Sequence, residues 1–187
     1  MLVIPEDPKL NGHILKPLAE RLLKDAGKPN TRVKVLDKPR LRGYAQAVRA
    51  VRYTVVQRYG FYDLCLFFPD ADLAGARGMH ELEAELGAQG VRLLCCPAQP
   101  EVEIFACAAF RDELPGTWEE ARTHHRLKEE VFEPLRARLG FQRRAPGGGR
   151  KSMIERSLRN LPLMYRLCPE TKRLRDRIAA LVQGRGD

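Results

Sequence analysis

The period of the apolar positions changes along the chain. Met1 to Ile4 form a short apolar run stopped by Pro5, the pattern of a buried strand. Leu10, Ile14, Leu15, Leu18 and Leu22 then recur at helical spacing until Gly27-Lys28-Pro29-Asn30 closes the element with glycine and proline. Arg32 to Leu36 alternates polar and apolar, as a strand near a sheet edge does. Tyr44, Val48, Val51 and Val55 mark a second amphipathic helix ended by Gly60. Leu64-Cys65-Leu66-Phe67-Phe68 is apolar on both faces, which fits a central parallel strand. A loop follows from Pro69 to Gly78, then a helix from Met79 to Ala88 and a buried strand from Val91 to Cys96. This order, β-α-β-α-β-α-β, predicts an α/β fold with a mainly parallel four-stranded sheet flanked by helices.

Beyond this point the pattern is helical. A short helix is expected from Glu103 to Phe110 and a longer one from Trp118 to Leu139, broken at Pro134. Ala145-Pro146-Gly147-Gly148-Gly149 reads as a flexible connector, with basic helices after it at Lys151 to Leu161 and Thr171 to Val182. The division is therefore an α/β domain at 1–112 and a helical, basic C-terminal extension at 113–187 packed on it.

Composition bounds the answer. The chain has 187 residues, 44% of them hydrophobic, enough for a real core and too many for wholesale disorder. No run approaches the ~18 apolar residues of a membrane span. The first residues lack the basic flank and long apolar run of a signal peptide. Cys65, Cys95, Cys96, Cys107 and Cys168 form no CxxC pair, so they read as reduced, buried thiols of a cytoplasmic protein. The net charge of +9 is unevenly placed. From Arg136 onward there are fourteen basic residues against four acids, so this stretch carries +10 and the preceding 135 residues carry −1. A basic C-terminal part suits a polyanion, with a solvated arginine-rich surface as the alternative.

Ligands of parallel α/β sheets bind beyond the carboxyl ends of the strands. Acids stand there after three of the four: Glu6 and Asp7, then Asp70 and Asp72, then Glu101 and Glu103. In extended chain, Asp70 and Asp72 point to one side, and paired carboxylates suit a hard cation such as Mg2+ or Mn2+. Pro146-Gly147-Gly148-Gly149-Arg150-Lys151-Ser152 is not a P-loop, because Arg150 stands where the motif has glycine. It reads as a hinge or as a cradle for a phosphate. His124 and His125 fit a solvated helix surface. Tyr44, Tyr53, Tyr59 and Tyr62 are interleaved with Arg49, Arg52 and Arg58, a pattern that can stack on bases. Helical spacing makes core the first reading for these tyrosines.

The acid Glu6 after the first strand, the DxD of Asp70 and Asp72 after a later hydrophobic strand, and the β-α-β-α order between them resemble the Toprim domain. That domain is shared by topoisomerases, bacterial primases and nucleases of the overcoming-lysogenization-defect type. Pro100-Glu101-Val102-Glu103-Ile104-Phe105, followed by the glycine-rich segment, resembles small stand-alone bacterial Toprim-like proteins that work beside an ATPase in defence against phage. The resemblance implies a metal-dependent nuclease. Glu6 and Glu103 would be its catalytic acids, with Glu101 the alternative to Glu103, and Asp70, Asp72 and Glu6 its metal ligands. Arg143, Arg144, Arg150, Lys151 and Arg156 would then hold the nucleic-acid backbone. Implied partners are nucleic acid, an ATPase and a second copy of the chain, with no membrane. The family usually carries glycine after the first acid, where this chain has Asp7 and Pro8. The second reading is therefore a catalytically weak Toprim-like module that binds nucleic acid or a partner protein.

Overall fold

The computed structural model describes residues 1–41, 43–71, 78–143 and 147–184. Strands β1 (Leu2–Pro5), β2 (Lys34–Val35), β3 (Cys65–Phe68) and β4 (Leu93–Cys95) form one sheet in the order β2-β1-β3-β4, every pairing parallel. The sequence pattern predicts the arrangement. The two central strands, β1 and β3, are the continuous apolar runs and are buried throughout, whereas the alternating segment supplies the two-residue edge strand β2.

Alternate side chains of the strands feed two cores. On one face Val3, Leu66 and Leu94 pack with helix α1 (Gly12–Asp25), α5 (Glu103–Cys107) and the helices that follow it. On the other, Leu2, Ile4, Cys65 and Phe67 pack under α2 (Tyr44–Arg49), α3 (Val56–Tyr59) and α4 (Met79–Ala88). A π-helical stretch, Ala50–Val55, joins α2 to α3 into one rod. The C-terminal helices α8 (Arg150–Ser157), α9 (Leu161–Leu167) and α10 (Pro169–Gln183) share the first core through Met153, Ile154, Met164, Leu174 and Ile178. All five cysteines are buried and free.

The helices differ from expectation in three places. The long helix breaks at His124, which is extended, rather than at Pro134; its pieces are α6 (Trp118–Thr123) and α7 (Glu133–Arg138), the latter preceded by a π-helical turn, Lys128–Phe132. Pro134 directly follows the π-helical turn and does not end the helix, which runs on to Arg138. Leaving the helix also lets His124 and His125 stack, their rings 5.5 Å apart and nearly parallel. The helix starting near residue 150 stops at Ser157, and α9 follows with Asn160 capping Leu163 N–H at 3.1 Å.

The third difference concerns the glycines. Gly147, Gly148 and Gly149 all take positive φ and are packed rather than hinge-like. A Cβ on Gly149 would meet the Phe141 backbone, and one on Gly148 would meet Arg136, which donates to the Gly148 carbonyl. Only glycine fits there, so the segment is a tight turn tied to α7.

Candidate functional site

The carboxyl end of the sheet gathers acids from successive strands. Glu6 follows β1 directly, is buried, and accepts the Asp70 backbone N–H through Oε1 at 3.0 Å. Asp70 continues β3 by one parallel bridge to Ala98. Its Oδ1 in turn accepts the Val102 N–H at 2.9 Å, at the start of α5. Glu103, the first residue of α5, is only 1% exposed. The chain Glu6–Asp70–Val102 thus sews three strand ends together, and Glu103 stands one residue beyond it.

Burial shapes the chemistry of these acids. Desolvation, then the negative charges of Glu6 and Glu103, push the Asp70 carboxyl up to about 8, against the pull of the Val102 N–H. Glu103 is pushed up to about 7, again by burial first, while Arg150 and Lys128 oppose the rise. Two carboxyls able to exchange a proton near neutrality therefore share one site, a pairing suited to general acid–base work.

Glu101 and Asp7 have other duties. Glu101 Oε2 accepts the Lys128 N–H at 2.6 Å and so caps the second piece of the broken helix. Asp7 Oδ1 accepts the N–H groups of Lys9 and Leu10 at 2.9 and 3.2 Å, closing the turn after β1. Asp72 lies outside the described residues.

Arg150 is the main correction. As a surface contact to a nucleic-acid backbone it does not stand: it is 4% exposed and turned inward. Its guanidinium pairs with Glu133, lies 5.2 Å from the Phe132 ring centre, and reaches to 4.0 Å from Glu103 Oε1. Glu133 also pairs with Arg136, and these two arginines hold its carboxyl below the ordinary range against the opposing effect of burial. The signal was present in the sequence. Arg150 shares a helical stripe with Met153, Ile154 and Ser157, so the register of α8 turns it toward the core.

The remaining basic residues stay at the surface. Arg143 is exposed, Lys151 pairs with Glu155 at 3.7 Å, and Arg156 is exposed with its guanidinium 5.2 Å from the Phe110 ring centre. Arg144 lies outside the described residues. Beside the acids, a cleft of about 680 Å3 runs along the outer edge of β4 from Ala71 and Pro100. Its arginines are largely committed: Arg122 forks onto Glu170 and Arg177 onto Glu83, which also accepts the Cys95 N–H that β4 leaves unpaired.

Among the described residues, no three His, Cys, Asp or Glu side chains are grouped to hold a metal ion. None of their helices is long and apolar enough to cross a membrane. No family model matches the chain, and neither a curated protein nor a solved structure matches it.

Proposed function

We propose that the chain is a metal-dependent nuclease that hydrolyses phosphodiester bonds of nucleic acid at the rim formed by Glu6, Asp70 and Glu103. The observation that carries this reading is Asp70 itself: a buried carboxyl at a sheet's carboxyl end, pushed up to about 8 by burial and by the carboxylates around it. A site that crowds acids together, against their mutual repulsion, is one that a cation relieves.

The donor chemistry fits Mg2+ or Mn2+. All donors are carboxylate oxygens, and Glu103 Oε1 is buried without a hydrogen-bond partner among the described residues. Asp70, Glu6 and Asp72 would hold the ion, which accepts few protein ligands and keeps several waters. The ion supplies Lewis-acid activation of water and neutralises charge on the phosphate. The chain's own residues do the rest. Glu103, near neutrality, takes or returns a proton at its carboxyl, and the Arg150 charge 4.0 Å away opposes the rise that burial imposes on it. The exposed Arg143, Lys151 and Arg156 add positive charge for a polyanion. The Toprim resemblance extends the proposal to the subunit of a phage-defence system that works with an ATPase.

One observation favours the second reading, a module that binds without cleaving. Glu103 already has a cation beside it in Arg150, which partly satisfies the charge a metal would neutralise. Incubation of labelled DNA and RNA, single- and double-stranded, with Mg2+ or Mn2+ separates the two. Cleavage that disappears in Asp70→Asn supports the nuclease; salt-sensitive binding without cleavage supports the binding module.

A further inference from the structure

The rod 44–59 carries a surface that the carboxylate rim does not use. Tyr53 is 60% exposed, unusual for an aromatic residue of a helix packed on a sheet. It lies in the π-helical stretch Ala50–Val55, and such wide turns are frequent at functional sites. Arg49, one turn earlier on the same side, and Arg40, from the preceding loop, line the same concavity of about 430 Å3 with Tyr53, Gln46 and Thr54. Both arginines are exposed and make no ion pair among the described residues, whereas nearby Arg52 is held by Glu85 at 3.0 Å. No acidic side chain of the described residues lines the concavity.

An exposed aromatic ring that shares a concavity with two guanidinium groups has the chemistry of a base-stacking platform. The ring accepts the face of any base, and the arginines accept flanking phosphates. A duplex keeps its bases stacked within the helix and offers no free face to such a ring. From this we infer that the Arg40–Arg49–Tyr53 surface binds single-stranded nucleic acid. Tyr44, at the other end of the rod, has its hydroxyl held above the ordinary range by burial first and by Glu6 among its charged neighbours. Tyr53 stands nine residues further along the rod from Tyr44. Binding here stands on residues separate from the rim; that the bound strand is also the substrate rests on the nuclease reading.

The test is fluorescence anisotropy with a labelled oligodeoxythymidine in EDTA, so that cleavage plays no part. Tyr53→Ala is expected to weaken binding about tenfold, and Tyr53→Trp to retain it. Arg40→Glu with Arg49→Glu is expected to lower the slope of log affinity against log salt by about 1.4. The inference is overturned if Tyr53→Ala binds as the wild type. It is equally overturned if a duplex of the same length loses as much affinity in Tyr53→Ala. Competition by a glutamate-rich peptide as effective as that by the oligonucleotide would make the surface a general polyanion patch and overturn it too.

Discussion

Glu103 Oε1 and Arg150 Nε face each other across 4.0 Å, both buried and neither hydrogen-bonded among the described residues. The pair is close enough for strong attraction in a poorly solvated site and too far apart for a direct hydrogen bond. It ties the acids at the sheet's end to the glycine turn and α7, because Arg150 also holds Glu133 and Glu133 holds Arg136. A sequence-distant basic helix thereby sets the electrostatics of an α/β rim.

Removing Arg150 leaves Glu103 buried with its charge opposed by less. Arg150→Met is expected to lower stability by about 3–5 kcal/mol at pH 8 and by clearly less at pH 5, where Glu103 is protonated. Urea unfolding at the two pH values measures the difference. Equal losses at both would show that Arg150 acts through Glu133 and packing rather than through Glu103.

Asp70 makes stability fall as pH rises. Folding carries its carboxyl from an ordinary value of 3.8 to about 8, so the folded state holds the proton more tightly than the unfolded chain. The stabilisation is complete below about 4 and is lost as pH climbs through 8. Without divalent metal, Asp70→Asn should reduce this dependence to the smaller fall that Glu103 contributes, and exceed the wild type in stability at pH 8–9 by on the order of 2–4 kcal/mol. Thermal unfolding from pH 4 to 9 checks it.

The same protonation competes with a cation. Mg2+ affinity is expected to rise by up to tenfold per pH unit between pH 6 and 8 and to level off above. Calorimetric titrations in buffers of different ionisation enthalpy would count the proton released, which should approach one near pH 7.

Two glycines offer a contrast in the fold itself. Gly149→Ala places a Cβ against the Phe141 backbone at a left-handed φ of 80°, and is expected to cost at least 2–3 kcal/mol. Gly87→Ala, at an exposed position of α4 with nothing within 4 Å of the new Cβ, should gain roughly 0.5–1 kcal/mol. Denaturant midpoints of the two variants test both signs.

The α/β core was legible because its signals are local. Runs such as Leu64–Phe68 state their burial on both faces, and Leu10 to Leu22 state a helical period. The gathering of Glu6, Asp70 and Glu103 followed from the rule that places ligands at the carboxyl ends of parallel strands. The inward turn of Arg150 went unread because the glycines before it suggest freedom, while the packing of Gly149 on Phe141 is a tertiary fact. The capping role of Glu101, which the sequence offers as the alternative to Glu103, is hidden for the same reason. Its partner, the Lys128 N–H, becomes available only because the helix breaks at His124, a break for which the chain carries no proline or glycine.

The most direct test of the rim as a cation site is an anomalous-scattering map from crystals soaked in Mn2+ at pH 8. A peak about 2.1 Å from an Asp70 carboxylate oxygen, with Glu6 or Asp72 also in its shell and absent from Asp70→Asn crystals, is the expected result. No peak at the rim, or one held only by surface carboxylates, would contradict the account.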